Sequence, residues 1–225
     1  MNHLSFAQTA DGSKTIFNSL VGEHYHSRHG ALQESRHVFL KSGLQFYLEQ
    51  NNAEELNILE VGFGTGLNFL LSADYCTSNN IKLHYTGIEA FPLPGSMISG
   101  TGYDEFIDST LWESFTQNYT ACLNNSVPLN SLCDLEIAES KLMDFQTDKK
   151  FDVLYFDAFA AIHQPEMWNL ESLSHITSFL NPGAVFVTYA ITGNLKRTMK
   201  SLNFSIEKAP GAPGKREMLR AVKLF

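Results

Sequence analysis

The stretch Leu59-Glu60-Val61-Gly62-Phe63-Gly64-Thr65-Gly66 decides the fold, because it lies where an apolar strand meets a helix. Its three glycines permit backbone conformations and close approaches that a side chain would forbid. A nucleotide-like ligand therefore has room directly over this turn, at the carboxyl end of the sheet that the strand enters. The turn predicts a cofactor with a nucleoside part.

The spacing of the glycines separates the candidate cofactors. Dinucleotide enzymes prefer G-x-G-x-x-G, because the pyrophosphate sits on the helix N-terminus. The pattern here is acidic-x-G-x-G-x-G, and it resembles the loop that binds S-adenosylmethionine (SAM). The carboxylate of Glu60 is suited either to hold the loop or to meet the cationic methionine end. We therefore predict SAM bound by Glu60, Gly62, Gly64 and Gly66, with a nicotinamide or flavin cofactor, or a purely structural turn, as the alternatives.

Two later carboxylates also follow strands. Glu89 ends the second strand, where an acid commonly accepts hydrogen bonds from both ribose hydroxyls. Glu139 follows the third strand, from which it can reach the adenine amino group. Both are predicted to bind the cofactor; the alternative for Glu89 is an ordinary acid at a strand end.

Asp157 ends the fourth strand, in Phe156-Asp157-Ala158-Phe159. A carboxylate beside a reactive methyl group can orient an attacking nitrogen and favour loss of its proton. Phe159 is expected to pack against a flat substrate ring. Asp157 is thus the predicted catalytic residue, and the alternative is an Asp that binds backbone amides of its own loop.

Apolar strands alternate with helices around these motifs. The predicted strands are 57–61, 83–88, 135–138, 151–156, 184–190, 204–208 and 218–224, and the predicted helices are 67–76, 165–180 and 195–202. Residues 92–130, which include an amphipathic stretch at 111–123, are predicted to be an insertion or crossover. The alternation indicates a mainly parallel sheet covered on both faces, and the last two strands indicate a terminal antiparallel hairpin. Residues 51–225 are therefore predicted to form a seven-stranded, Rossmann-like α/β domain of the class I SAM-dependent methyltransferase type.

The N-terminal segment looks different. Residues 1–31 are polar and rich in Gly, Ser and His, and we expect an irregular arm. Residues 31–50 are predicted to be helical with a break near Gly43, and Asn181-Pro182-Gly183 is predicted to end the helix before the fifth strand. We expect residues 1–50 to pack on the same domain.

Composition excludes several classes of protein. The chain has 225 residues, 44% of them hydrophobic and 18% charged, which fits one globular domain and not a disordered or fibrous chain. No apolar run approaches the roughly 20 residues that span a bilayer, and the N-terminus lacks the features of a signal peptide. Three scattered cysteines argue against a disulfide framework or a zinc site. These features predict a cytoplasmic protein with no membrane segment.

Charge is distributed unevenly along the chain. The formal net charge is −8, yet residues 196–225 contain eight Lys and Arg against two Glu, a local charge of +6. Lys215 and Arg216 lie in the turn before the last strand. This segregation predicts a contact with a polyanion, with a solvated terminal hairpin as the alternative.

A histidine-rich stretch raises the question of a metal. His24, His26, His29 and His37 match no strong ligand spacing, and the region contains no cysteine. We therefore expect that these histidines bind no metal and are polar residues at the surface or facing the substrate.

Six segments together carry a family resemblance. They are Gly30-Ala31-Leu32-Gln33-Glu34-Ser35-Arg36-His37-Val38-Phe39-Leu40, Ile58-Leu59-Glu60-Val61-Gly62-Phe63-Gly64-Thr65-Gly66-Leu67-Asn68-Phe69, Glu89-Ala90-Phe91-Pro92-Leu93, Asp157-Ala158-Phe159-Ala160, Pro165-Glu166-Met167-Trp168 and Gly214-Lys215-Arg216-Glu217-Met218-Leu219. In this order they resemble the MnmC-type tRNA methyltransferases over nearly the whole chain. Ala90 and Ala161 depart from the lysine and proline that are common in the family.

The resemblance implies a reaction. The family methylates the 5-aminomethyl group of the wobble uridine (position 34) of tRNA and makes 5-methylaminomethyl-(2-thio)uridine. Asp157 would orient the amine, Phe159 would stack on the flipped uracil, and Lys215 and Arg216 would contact the anticodon stem-loop. Bifunctional members also carry an FAD-dependent oxidase domain, for which this chain has no room, so we expect a stand-alone methyltransferase without an obligatory protein partner.

Two other functions remain open at this point. A SAM-dependent methyltransferase acting on a small molecule or protein would keep the glycine turn and Glu89 but would not need the basic C-terminal segment. The second is a non-catalytic RNA-binding or scaffold protein with a degenerate methyltransferase fold. The presence of Glu60, Glu89 and Asp157 weighs against this second function.

Overall fold

Eleven strands are present among residues 3–225, the part of the chain that the computed structural model describes. They are β1 (Leu4–Gln8), β2 (Lys14–Asn18), β3 (Glu23–His24), β4 (Glu55–Val61), β5 (Lys82–Glu89), β6 (Val127–Asn130), β7 (Cys133–Glu139), β8 (Phe151–Phe156), β9 (Leu180–Thr188), β10 (Phe204–Pro210) and β11 (Glu217–Lys223). Eight of these strands form the central sheet in the order β10-β11-β9-β8-β4-β5-β7-β6. β4, which leads into the glycine turn, lies near its middle.

Strand directions confirm the predicted mixture. β9, β8, β4, β5 and β7 are mutually parallel, and β11 enters antiparallel between β9 and β10. The carboxyl ends of the five parallel strands therefore meet at one edge of the sheet, where open α/β sheets bind their ligands. The glycine turn, Glu89, Glu139 and Asp157 all follow these ends.

The prediction of seven strands is wrong by one. β6 pairs antiparallel with β7 at the edge of the sheet, in the region 92–130 that the sequence indicated only as an insertion. Pro128 lies within β6, and an edge strand tolerates a proline because one side of its backbone needs no partner.

The prediction of an irregular N-terminal arm is wrong for the described residues. β1, β2 and β3 form a separate three-stranded antiparallel sheet. Ile16 of β2 is fully buried against the main core. These strands are only two to five residues long, which hid them within a polar stretch of the sequence. Met1 and Asn2, the first residues of the predicted arm, lie outside the described part.

Seven α-helices and several short helical turns complete the structure of residues 3–225. The α-helices are α1 (Ala31–Glu34), α2 (Phe46–Asn51), α3 (Leu67–Ser78), α4 (Gly95–Ser99), α5 (Ser109–Asn118), α6 (Leu170–Thr177) and α7 (Gly193–Ser201). Side chains of Asp108, Asn169 and Thr192 cap α5, α6 and α7 by accepting the amides of Leu111, Ser172 and Leu195. No helix in this range is long and apolar enough to cross a membrane.

Two helix predictions need correction. A π-helical stretch, Ser35–Gln45, joins α1 to α2 without the predicted break at Gly43. A Cβ at position 43 would lie 2.8 Å from the Tyr155 ring and 2.9 Å from Val187, so this glycine lets the helix approach the sheet closely. The predicted helix 165–180 is instead a 3-10 turn (Pro165–Trp168) followed by α6, because Asn169 starts a new cap.

The predicted turn at Asn181-Pro182-Gly183 lies inside β9. The pairing register of β8 with β9 shifts between Phe151 and Val153, so the strand accommodates these residues in an irregularity rather than a break. Helical residues 31–51, α3 and α5 cover one face of the sheet, and α6 and α7 cover the other.

Candidate active site

A cleft of about 1480 Å³ opens at the carboxyl edge of the parallel strands. Its floor consists of the turns that follow β4, β5, β7, β8 and β9, and residues 18–28 of the N-terminal segment close one side. The cleft therefore lies where the positions of the sequence motifs indicated a site.

The glycine turn and Glu89 form one wall of the cleft. The carboxylate of Glu89 accepts the Gly64 amide at 3.0 Å with one oxygen and the Phe91 amide at 3.0 Å with the other. Gly62 and Gly64 have φ of +83° and +52°, backbone conformations that residues with a side chain rarely adopt. Burial raises the pKa of Glu89 above the ordinary value for a glutamate. Glu89 thus braces the turn and keeps a lone pair on each oxygen for a further donor.

Tyr25 covers the glycine turn from the N-terminal side. A Cβ at position 64 would lie 2.9 Å from Cδ1 of Tyr25, so the ring rests directly on the backbone of the turn. The ring also meets Phe159 edge to face, with 5.2 Å between centroids. Burial raises the pKa of the Tyr25 hydroxyl to about 12. Two aromatic rings from distant parts of the chain thereby flank the cleft.

Glu60 does not reach the cleft. It is fully buried, and its carboxylate accepts the Asn68 side-chain amide at 2.8 Å and the Tyr85 hydroxyl at 2.8 Å. Burial raises its pKa well above the usual range. Of the two roles that the sequence allowed, these contacts match the one in which Glu60 holds the turn, by tying α3 to β4 and β5.

Asp157 faces the cleft at the end of β8. Its Oδ2 accepts a hydrogen bond from Nδ2 of Asn68 at 2.8 Å, the same amide group that serves Glu60. Burial and then the negative charge of Glu34 raise the pKa of Asp157 to about 8, while the Asn68 hydrogen bond and Lys215 act in the opposite direction. A carboxyl group with this pKa can take up and release a proton near neutral pH.

Lys215 is turned into the cleft rather than out towards solvent. Its Nζ lies 2.7 Å from Oε1 of Glu34, a largely buried carboxylate, and 3.9 Å from the centre of the Tyr189 ring. Arg216, the next residue, is exposed and lies outside the cleft. The two cations that the sequence grouped together therefore have different surroundings.

The structure brings most, but not all, of the predicted site residues together. Those in the cleft wall are Gly62, Gly64, Glu89, Asp157, Phe159 and Lys215; those outside it are Glu60, Gly66, Glu139 and Arg216. The exposed Glu139 side chain lies at the end of β7, and the segment just after it, Ser140 to Asp144, lines the cleft instead. Asp144 is thus the carboxylate that this segment contributes to the cleft.

Sequence reasoning missed several residues of the site. Glu23, Tyr25, Glu34 and Tyr189 line the cleft, and Asn68 positions Asp157 from behind it. A signal existed for Glu34 and Asn68, which fall within the quoted family segments. Glu23 and Tyr25 had a weaker one, because they belong to the polar stretch in which substrate-facing residues were expected.

The comparison with known families decides the class of protein. The family described as S-adenosyl-L-methionine-dependent methyltransferase matches residues 107–224. The chain belongs to this family. This SAM-dependent methyltransferase is therefore an enzyme whose cofactor is SAM, as the glycine turn predicted.

Individual relatives of the methyltransferase agree with that assignment. The tRNA 5-methylaminomethyl-2-thiouridine biosynthesis bifunctional protein MnmC of Methylobacillus flagellatus is 28% identical over 219 residues, which cover 90% of this chain and 33% of the relative. The protein of the same name from Leptospira borgpetersenii is 30% identical over 209 residues, which cover 87% and 31%. The chain thus spans about a third of the length of the curated relatives it matches.

The fold of the methyltransferase has a solved counterpart. The crystal structure of MNMC2 from Aquifex aeolicus superimposes with a TM-score of 0.77 at 21% identity and covers 98% of this chain and 70% of that one. The class I methyltransferase fold predicted from the alternation of strands and helices is confirmed.

The residues of the cleft fit the cofactor. Each carboxylate oxygen of Glu89 accepts one backbone amide and has capacity for a further donor, which suits the hydroxyls of a ribose. Gly64, in the same wall of the cleft, has no side chain. Apolar side chains for a purine face are present at Ile88, Phe91 and Leu142, all in the cleft wall.

Proposed function

We propose that this enzyme methylates the amine of a 5-aminomethyl group on the wobble uridine of tRNA, giving 5-methylaminomethyl-(2-thio)uridine. The similarity to relatives named for tRNA 5-methylaminomethyl-2-thiouridine biosynthesis supports the substrate. A cytoplasmic location and contact with the anticodon stem-loop belong to the same proposal.

The observation that carries the proposal is the placement of Asp157. Its carboxyl group faces a cleft flanked by Tyr25 and Phe159, and Asn68 fixes one of its oxygens. An amine nucleophile must lose a proton before its lone pair can attack, and a carboxyl group with a pKa near 8 can accept that proton. Bound SAM supplies an electrophilic methyl group with a good leaving group.

The surrounding residues would position the substrate. A uracil ring is flat, and the faces and edges of Tyr25 and Phe159 offer it apolar contact within the cleft. Glu34 and Glu23 add negative charge close to Asp157, which attracts an aminomethyl cation into the cleft. Positioning of amine and methyl group should then provide most of the acceleration.

The cofactor roles divide into two groups in this proposal. Gly62, Gly64 and Glu89 would contact SAM directly, while Glu60 and Gly66 would keep the turn in its conformation. Glu139 stays a prediction for the adenine contact, although its side chain lies outside the cleft.

Residues 1–50 and 51–225 would act as one domain. Support comes from contacts between them: the Lys14 ammonium donates to the Gly100 carbonyl, the Tyr103 hydroxyl to the Lys14 carbonyl, and the Ala160 amide to Glu23. The N-terminal sheet is therefore held by the segment that follows β5 and by the loop that follows β8.

A direct assay tests the proposal. Purified enzyme is incubated with SAM labelled in the methyl group and with tRNA that carries 5-aminomethyluridine, and nucleosides are analysed by mass spectrometry. We expect 5-methylaminomethyluridine, and no product with tRNA carrying unmodified uridine. Labelling of the amine nucleoside alone at an equal rate would favour a small-molecule substrate, and labelling of protein would favour a protein substrate; either outcome contradicts the proposal.

A further inference from the structure

Apart from Arg216, which is exposed in the turn before β11, the cations of the basic C-terminal segment divide into two groups. In the first, side chains are held by the protein itself: Lys215 pairs with Glu34, Arg220 donates to Glu207 at 3.0 and 2.7 Å, and Lys223 donates to two backbone carbonyls at 2.9 Å each. These charges are engaged within the fold, so they contribute little to a free basic surface.

The second group lines a shallow groove of about 420 Å³ between α7 and β10. Lys196, Arg197 and Lys200 come from α7, and Lys208 comes from β10. Within residues 3–225 no ion pair involves the three cations of α7, and Lys208 reaches only Glu217, at 4.0 Å. Leu195 and Met199 are buried on the opposite side of α7, which fixes the cationic face outwards.

This arrangement works against the stability of α7. The nine residues of α7 include no acid, and Lys196 and Lys200 are like charges at i and i+4, a repulsive spacing. Lys196 also lies in the first turn, where the helix dipole disfavours cations. An ordinary solvated helix face in an acidic protein would intersperse acids among these cations. A polyanionic ligand would offset the repulsion.

The groove begins close to the active-site cleft along the chain. Tyr189, just after β9, lines the cleft, and α7 begins four residues later at Gly193, which lines the groove. The start of α7 is therefore tied to the cleft wall by a short connection.

We propose that the α7 groove, defined by Lys196, Arg197, Lys200 and Lys208, binds phosphates of the tRNA backbone while the reacting nucleotide occupies the cleft. This inference rests on the proposed function, since it assumes a tRNA substrate. It moves the main RNA contact away from Lys215 to a neighbouring surface. Charge complementarity selects RNA, because four cations line the groove and three of them are spaced along one helix.

The test compares two triple variants with the same loss of charge. K196Q/R197Q/K200Q removes the α7 cations, and K41Q/K82Q/K149Q removes three exposed cations elsewhere on the body. Binding of fluorescent tRNA is measured from about 50 to about 300 mM KCl, with SAM binding and melting temperature as folding controls. We expect the α7 variant to bind tRNA roughly tenfold or more weakly, to raise the tRNA KM, and to flatten the salt slope by about 2–3 units. The control variant should stay close to wild type.

Three outcomes would overturn the inference. Equal weakening by both variants would reduce the effect to net charge, and unchanged tRNA binding by the α7 variant would remove RNA from the groove. Poly-glutamate is measured in the same way as a model of an acidic protein. If the α7 variant loses poly-glutamate binding but keeps tRNA binding, the groove belongs to an acidic protein partner. A wild-type enzyme that neither binds nor methylates tRNA would instead contradict the proposed function itself, which keeps the two failures distinct.

Discussion

The side-chain amide of Asn68 donates to Asp157 at 2.8 Å, and its second hydrogen serves Glu60 at the same distance. One residue of α3 thus fixes an acid in the cleft and an acid in the core. Its own oxygen, Oδ1, is buried without a hydrogen-bond partner among the described residues. This orphaned acceptor is the cost of presenting both hydrogens to carboxylates, and it indicates that α3 is built to position Asp157.

Replacement of Asn68 tests this positioning role. Asn68→Ala removes a hydrogen bond that favours the ionised form of Asp157, so the pKa of Asp157 should rise further and the acidic limb of the pH–rate profile should move to higher pH. Unfolding free energy should fall by about 1–3 kcal/mol, because Glu60 also loses a donor. Ser72→Ala, one turn later on α3 and equally buried, is the matched control and should destabilise without moving the limb. A limb that moves equally in both variants would contradict the role.

Asp157→Asn should separate activity from stability. We expect methyl transfer to fall by roughly 100-fold or more while SAM affinity is kept, because the proton acceptor is lost. In the wild type, the folded pKa of about 8 exceeds the unfolded value, so the native state holds an extra proton between about pH 4 and pH 8 and stability falls as pH rises. The variant has no titrating carboxyl group at this position, so its stability does not fall with pH for this reason. Its melting temperature should exceed that of the wild type increasingly from about pH 5 to pH 8, by about 2–4 °C for each kcal/mol. Parallel melting curves across pH would show that the pKa is not raised.

The charges around Asp157 should shift its pKa in a defined order. Glu34 raises this pKa more than Glu23 does, and Lys215 lowers it. Glu34→Gln should therefore move the acidic limb to lower pH, Glu23→Gln should do so by less, and Lys215→Met should move it to higher pH. Carbon NMR of labelled Asp157 gives the same shifts without an activity assay. If the two glutamate substitutions shifted the pKa of Asp157 equally, the surroundings of Asp157 would differ from those in this structure.

The two candidate ribose and adenine acids should behave differently. The Glu89 carboxylate accepts two backbone amides, and Glu89→Gln replaces one of the accepting oxygens by an NH2 group, which can only donate. Calorimetry should therefore show SAM binding weakened by roughly 1–3 kcal/mol. Glu139→Gln changes an exposed side chain outside the cleft, so an adenine contact from it would lie at the rim and its loss should lower the affinity by less than Glu89→Gln does. Unchanged SAM binding in the Glu139 variant would exclude Glu139 from the adenine contact.

Tyr25 and Gly64 should be energetically coupled. Gly64→Ala places a Cβ within 2.9 Å of Tyr25 and adds backbone strain at φ +52°, which costs roughly 1–2 kcal/mol. In a Tyr25→Ala background only the backbone strain remains, so the same substitution should cost less. Urea unfolding of the four proteins measures the difference, and strictly additive effects would mean that the ring does not rest on the turn.

Local sequence signals determined the sheet and its reactive edge. The apolar run 151–156 becomes β8 with the predicted bounds, because a strand buried on both faces is apolar almost throughout. The glycine turn and the acids at strand ends needed only the rule that parallel strands present their carboxyl ends together. Glu34 and Asn68 lie in segments that resemble the family, so the sequence marked them as positions of interest. The spacing of residues alone did not show that Glu34 lines the cleft or that Asn68 binds Asp157.

Only the tertiary structure decided which of those acids face the cleft. Glu60 and Asp157 both stand at the ends of buried strands, yet α3 and Tyr85 enclose the first and leave the second open. Lys215 meets Glu34 across 181 residues of sequence, and Glu23 meets Ala160 across 137. A carboxylate has the same local sequence signal whether it is enclosed or exposed. Its environment, and therefore its pKa and its chemistry, depends on side chains that only the folded chain brings within contact distance.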